Sequence, residues 1–425
     1  MSLRADLLVS NIGELATLAR GPIPRTGRSL EDLSVRRDAA LAARDGRIVW
    51  IGRSSQARER VRLARGGIRI DARGGVAIPG LVDAHSHAVF AGDRSFELPW
   101  KVRGASYAEI ARRGGGILAT VRATRRASDE EIVRSSAMRL AEMTLGGATT
   151  IEVKSGYALD HAGELRLLRL IGWIARSAGL DLVPTYLGAH AIPPKHRRRP
   201  EGYVDEIVRR TLPAVANEHL ARFCDVFCEP GYFSVAQSER ILRAALALGL
   251  GIKIHADEFV WSGGARLAAR LHARSVEHLL AARAADYRAL VRAGVSAVLL
   301  PTTPFATLHP GSSPGRELVN AGAAVALGSD CSPNSWITSM SLVLAHAVHD
   351  ARLTPNEAIS AATVNAAHAI DADDRAGVIA VGRRADFLLY DLPSIDSIPY
   401  RVGSFPTVVS RQGIPVSPPR IEPHI

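Results

Sequence analysis

Apolar residues along this chain follow two rhythms. Up to about residue 77, and again after about residue 375, they come in short runs or alternate with polar neighbours: Ala5 to Val9, Arg47 to Ile51, Ala385 to Tyr390 and Thr407 to Val409. Such text predicts β-strands. Asp45-Gly46, just before Arg47, is the dipeptide of a tight hairpin. Between the two ends, short apolar runs are each followed by a long amphipathic stretch, the alternation of parallel strands with helical crossovers. Eight runs occur: Leu81 to Ala84, Thr149 to Val153, Leu182 to Leu187, Phe223 to Phe227, Gly251 to Ile254, Ser275 to Glu277, Ser296 to Leu300 and Ala323 to Leu327. Ser128 with Glu131, and Thr354 with Glu357, are capping boxes that open helical segments. The prediction is an α/β fold, a (β/α)8 TIM-type barrel over residues 78–375. No helix signal follows residue 375, so residues 1–77 and 376–425 are expected to build one small composite β domain. No internal repeat or low-complexity segment stands out.

Composition changes this picture little. At 425 residues and 47% hydrophobic content, the chain suits one large barrel with a smaller appended unit. Its formal charge of +11 raises nucleic acid or an acidic membrane surface as partners. The distribution argues against both. Lys101, Lys154, Lys195 and Lys253 are the only lysines, and the many arginines are scattered along the chain. The densest run, Lys195-His196-Arg197-Arg198-Arg199, follows Pro193-Pro194 and reads as a solvated turn. The three cysteines, Cys224, Cys228 and Cys331, are too few for a disulfide framework, which fits a reducing compartment. The first twenty residues hold no apolar segment of signal-peptide or membrane-spanning length, so a cytoplasmic protein is expected.

The chemistry becomes visible when each apolar run is followed to its C-terminal end, where barrels carry their catalytic groups. The first run ends in His85-Ser86-His87, the third in His190, the fifth in His255, the sixth in His278 and the eighth in Asp330. Residues two apart at a strand end leave on the same side, so His85 and His87 can bind one ion. A lone His-x-His is commonly two unrelated histidines near a turn. Joined by His255 and Asp330, it becomes a set of three imidazoles and one carboxylate that suits a single divalent metal, zinc or iron, with a position left for water. A bound metal lowers the pKa of its water from about 15.7 to about 7, so hydrolysis is the natural use. Glu258, three residues beyond His255, is placed to shuttle a proton to a leaving nitrogen. His278 is placed to stabilise charge developing on a carbonyl oxygen. Arg94 could take a substrate carboxylate, although with so many arginines a solvated surface charge is the bland alternative. Tyr157 and His190 are rim residues able to hydrogen-bond a polar substrate. Lys154 ends the second strand, which is not where related barrels place a carboxylated lysine bridging two metals, so that reading is disfavoured.

These residues resemble the amidohydrolase superfamily and, within it, the imidazolonepropionase family, over nearly the whole chain. The resemblance lies in blocks: Pro79-Gly80-Leu81-Val82-Asp83-Ala84-His85-Ser86-His87, Phe90-Ala91-Gly92-Asp93-Arg94, Gly114-Gly115-Gly116-Ile117, Glu152-Val153-Lys154-Ser155-Gly156-Tyr157, Leu187-Gly188-Ala189-His190, Phe227-Cys228-Glu229 and His255-Ala256-Asp257-Glu258. It implies hydrolysis of the ring amide of imidazolone propanoate to N-formimidoyl-L-glutamate, in histidine degradation, by a possible homodimer. It also implies one zinc or iron on His85, His87, His255 and Asp330. Substrate contacts would come from Arg94, Tyr157, His190 and Glu258, and chemistry from Glu258, His278 and Asp330. One block departs from the family pattern. Where the family shows Asp-Phe-Asn-Pro-Gly followed by Ser or Thr, this chain has Asp330-Cys331-Ser332-Pro333-Asn334-Ser335. Ser332, Asn334 and Ser335 are thereby expected to contact substrate in a rearranged way. Two alternatives remain at this point: an enzyme acting on another cyclic amide or deaminating a heterocycle, and a non-catalytic binding protein on the same scaffold.

Overall fold

The computed structural model describes residues 3–416, so the last nine residues of the expected C-terminal β segment lie outside the described range. The chain divides into two compact units. One holds the chain up to Asp83, Ala141–Thr150 and the chain from Ser339; the other holds Ala84–Leu140 and Ile151–Thr338.

In the first unit both chain ends enter one sheet. Leu3–Ala16 pairs antiparallel with Val35–Arg44, which pairs with Arg47–Arg53. On the other side of Leu3–Ala16 lies Val76–Pro79, followed by Phe387–Tyr390, Val408–Arg411 and Ile414–Val416, while Val61–Asp71 also pairs with Leu3–Ala16. Asp45 and Gly46 both have positive φ, 50° and 76°, as a tight primed hairpin turn requires. Side chains alternate between faces along a strand. Accordingly Leu7, Val9, Leu41, Phe387 and Leu389 bury in one apolar cluster, and Leu8, Ala40 and Ala42 in another. Short helical turns were not expected here: Gly27–Glu31 and Ala57–Arg60 interrupt the first segment, and Ser397–Tyr400 follows the strand Phe387–Tyr390.

The second sheet is the barrel. Its strands are Leu81–Asp83, Ala148–Lys154, Asp181–Ala189, Phe223–Cys228, Gly251–Ala256, Ser275–His278, Ser296–Leu299 and Val325–Leu327, in that spatial order. All eight predicted runs are strands. From the third onward the neighbours pair in parallel. Helices lie between them, among them Asp129–Leu145, His161–Ser177, Val235–Ala247, Gly264–Leu271 and Ala284–Ala293. The capping box expected at Ser128 is present, with Glu131 N donating to Ser128 Oγ and Ser128 N to Glu131 Oε2. Thr354 and Glu357 form the second one, ahead of Pro355–Ala361.

The ends of the first and eighth strands are joined beyond the strands themselves. Ala84 N donates to Leu327 O at 3.2 Å, Asp330 N to His85 O at 3.0 Å and His87 N to Cys331 O at 2.9 Å. Ser86 and Cys331 form a parallel bridge. This stitching closes the barrel along the edge from which His85, His87 and Asp330 emerge.

Candidate metal centre

The first strand ends at Asp83, and the two histidines that follow carry their rings into one fully buried space. His85 Nε2 lies 3.2 Å from His87 Nε2, and His87 Nε2 lies 3.3 Å from His255 Nε2. Asp330 Oδ1 completes the group at 3.7 Å from His85 Nε2 and 3.6 Å from His87 Nε2. Burial, followed by neighbouring positive charge, pushes the pKa values of His85 and His87 well below the ordinary imidazole range. Neutral rings present lone pairs, and lone pairs facing one another repel unless a cation lies between them. A tetrahedral ion with bonds of about 2.0–2.1 Å to nitrogen sets its ligands about 3.3 Å apart, the spacing found here. The residues therefore fit a single divalent metal.

His278 qualifies the ligand set. It ends the sixth strand and adopts φ 72°, which turns its ring to the same side as the other histidines. One of its nitrogens comes within 4.8 Å of nitrogens of His85 and His255, so geometry alone leaves it eligible as a ligand. Its Nε2 also lies 3.7 Å from Glu258 Oε2. Burial, aided by Asp330 and Glu229, pushes the Glu258 carboxyl well above its usual range, as suits a group that holds a proton and hands it on. Asp330 sits at φ 51° and accepts from Thr303 Oγ1 at 2.9 Å. Burial raises its pKa to about 6.

Above these groups opens a cavity of about 50 Å³ lined by His87, Arg94, Tyr157, His190, His255, Glu258, His278, Asp330, Ser332 and Asn334, with Ile117, Phe227, Tyr232 and Phe259 supplying apolar walls. His190 stacks on His87 with ring centroids 5.1 Å apart and places Nδ1 3.1 Å from Gly156 O. Tyr157 packs against His190 and Phe90. Arg94 is buried, and its guanidinium is held by both oxygens of Glu97 at 2.8 Å, so it is no solvated surface charge. Of the residues singled out in the sequence, Ser335 is not among the cavity-lining residues: it is fully buried, and its N donates to Ser332 Oγ at 3.1 Å within the turn.

Several supporting residues escaped the sequence reading. Asp225, on the fourth strand, places Oδ2 2.9 Å from His255 Nδ1 and 2.8 Å from Lys154 Nζ. Lys154 also meets Glu152 at 2.7 Å, and Lys253 meets Glu152 at 3.1 Å and Glu277 at 3.5 Å. Although burial opposes its charge, Lys154 is pushed up by Asp225, Glu152 and Glu277, and an ammonium paired with two carboxylates does not suit a carboxylated lysine bridging two metals. The signal was strand parity. Glu152 and Lys154 share one face of a strand, as do Lys253 and His255, so their charges inside fully buried strands had to point into the barrel. Thr303 behind Asp330, Glu97 behind Arg94, and Glu229, whose Oε1 accepts from Phe259 N and Val260 N, had no such signal.

Comparison with known proteins agrees with this geometry. The amidohydrolase family model matches residues 76–414. The chain is 48% identical over 400 residues to an imidazolonepropionase of Symbiobacterium thermophilum, covering 94% of each chain. It is 44% identical to one of Herpetosiphon aurantiacus over 415 residues, covering 95% of each. Solved structures share the fold. An adenosine deaminase from Xanthomonas campestris with bound zinc aligns with TM-score 0.70 at 20% identity, over 98% of this chain and 93% of that one. A 5-methylcytosine deaminase from Klebsiella pneumoniae aligns with TM-score 0.73 at 18% identity, over 98% and 100%. Convergent histidines at the ends of parallel barrel strands and near-full-length identity to the same relatives lead to one conclusion: the chain belongs to the amidohydrolase family and groups within it with the imidazolonepropionases.

Proposed function

We propose that this protein is a cytoplasmic hydrolase that opens the ring amide of imidazolone propanoate to give N-formimidoyl-L-glutamate. The observation that carries the reading is the pairing of a metal-competent cluster, His85, His87, His255 and Asp330, with a buried guanidinium, Arg94, which lines the same cavity as His87, His255 and Asp330. Those four would hold one zinc or iron ion, which supplies a water of lowered pKa. Arg94, fixed by Glu97, binds and orients the propanoate carboxylate. Tyr157 and His190 hydrogen-bond the ring, and the apolar wall of Phe227, Tyr232 and Phe259 keeps bulk water away from it. His278 donates to the carbonyl oxygen as charge develops there. Glu258 takes the proton of the attacking water and returns it to the ring nitrogen that leaves. Ser332 and Asn334 line the same cavity in place of the usual family residues, and Ser335 holds their turn.

The test is a screen of purified, metal-assayed protein against imidazolone propanoate, other lactams and aminated heterocycles. Turnover of imidazolone propanoate with one equivalent of metal bound is the expected result. Full metal content with no turnover of that substrate refutes the proposal, and ammonia release from an aminated base establishes a deaminase instead.

A further inference from the structure

Asn334, where the strand-eight loop departs from the family pattern, occupies a junction between two cations. Its Oδ1 accepts from Lys101 Nζ at 2.8 Å and from Arg94 Nη2 at 3.3 Å. Lys101 Nζ lies a further 3.4 Å from Asn334 O. Arg94 and Asn334 line the cavity, whereas Lys101 stands behind Asn334 and is not among the lining residues. The charges do not cancel. Glu97 takes Arg94 through two parallel hydrogen bonds, which neutralises that pair. Lys101 makes no ion pair with a carboxylate among the described residues, and its ammonium is held by the two oxygens of Asn334. One positive charge is thus left over beside Arg94 and Asn334. Partial burial and the nearby Arg94 disfavour that charge, Glu97 offsets only part of this, and an arriving anion would offset more. An amide whose oxygen is fixed on two cations has its NH₂ group left to offer, and Asn334 lines the cavity.

We propose that Lys101 and Asn334 form a specificity-determining pair: Lys101 holds the Asn334 amide with its NH₂ group turned to the substrate's carboxylate, and the surplus positive charge selects anionic substrates over neutral ones. The idea rests on the hydrolase reading above. Asn334 contacts the substrate, while Lys101 is a positioning residue that acts through it. The arrangement gives the altered loop a role, since glycine at position 334 has no side-chain oxygen to hold Lys101.

The test compares equilibrium binding of imidazole propanoate and of neutral propylimidazole to the metal-loaded wild type and to Lys101→Met, Lys101→Arg, Asn334→Ala and Asn334→Asp. Loss of a charge-assisted hydrogen bond predicts that Lys101→Met and Asn334→Ala each weaken propanoate binding about tenfold or more. Propylimidazole binding stays unchanged in both. Their double variant loses no more than the worse single one, because the two act as a unit. Asn334→Asp removes the preference by placing a resident carboxylate between the cations, and Lys101→Arg restores part of it. In turnover, Lys101→Met raises KM and leaves kcat. Equal weakening of both ligands, or a Lys101→Met variant that keeps the full preference, overturns the proposal. If Lys101→Met fails to fold, the two Asn334 variants decide the matter. Failure of the wild type to hydrolyse imidazolone propanoate counts against the proposed reaction alone, because the ligand preference is read without turnover.

Discussion

Asp225 holds His255 from behind: its Oδ2 lies 2.9 Å from His255 Nδ1, while His255 Nε2 faces His87 Nε2 at 3.3 Å. A carboxylate on one ring nitrogen fixes the ring and strengthens the other nitrogen as a donor. Asp225→Asn is therefore expected to weaken metal affinity by about 10- to 100-fold. Competition with a chromophoric chelator measures this, and wild-type affinity in the variant would show that Asp225 serves only the Lys154 ion pair.

Replacing the ligands themselves is more severe. His255→Ala and Asp330→Ala are each expected to lose bound metal and activity together. Elemental analysis of purified variants decides it, with retention of one equivalent in either removing that residue from the ligand set. His278→Ala, run alongside, distinguishes a fifth candidate ligand from a catalytic group: in the catalytic role the variant keeps its metal and loses turnover.

Gly328 passes close under the first ligand. A Cβ there would meet His85 Cβ at 2.8 Å and the backbone His85 N at 2.9 Å, at the root of the side chain that joins the metal cluster. Overpacking of this kind costs about 1–3 kcal/mol. Gly328→Ala is expected to lower Tm and to reduce metal content in the protein that folds. Normal metal binding with a normal Tm would mean that the strand end shifts freely.

Glu97 holds Arg94 by two hydrogen bonds and accepts a third from Gly116 N at 2.8 Å. Glu97→Gln loses one of the parallel bonds and the charge, so Arg94 is less fixed. The expected result is a KM raised about tenfold for the carboxylate substrate with metal content unchanged. Steady-state kinetics at saturating metal checks it.

The cysteines give a pH-dependent prediction away from the site. All three are buried and free, so none should react with a thiol reagent in the native protein near pH 8, and all three should after denaturation. Burial pushes Cys228 from the ordinary value of 9.0 to about 11. A group with a raised folded-state pKa contributes stability that is fully present below its unfolded pKa and fades as pH rises through the folded one. Cys228 accordingly costs stability between about pH 9 and pH 11. Denaturation midpoints of the wild type and Cys228→Ala should converge across that window, and a constant difference would refute the linkage.

The barrel was legible because its signal is local and repeated. Each strand is a short apolar run, and the groups after Ala84, Ala189, Ile254 and Leu327 fall at the rim by position alone. The two-ended β sheet was legible only as strand text at both termini; pairing of Phe387–Tyr390 with Val76–Pro79 is a contact across some three hundred residues that no local pattern encodes. The partners of the site residues were harder. Thr303, Glu97 and Glu229 are ordinary polar residues whose meaning comes from what they touch. Asp225, Glu152 and Lys253 could have been found, since a charged residue on the inward face of a wholly buried strand must have a partner. Asn334 was flagged as a departure from pattern, but its place between two cations depends on the fold of the loop bearing Lys101.

Closure of the barrel and assembly of the histidine cluster are the same event. His85 and His87 lie at one lip of the seam and Asp330 at the other, and Ser86 bridges to Cys331 between them. Until the last strand docks beside the first, no complete set of donors exists anywhere in the chain. The cluster is thus a clasp across that seam. A bound ion is therefore expected to hold that seam shut, and chelation to speed hydrogen exchange at the first and last strands before it affects the remaining ones.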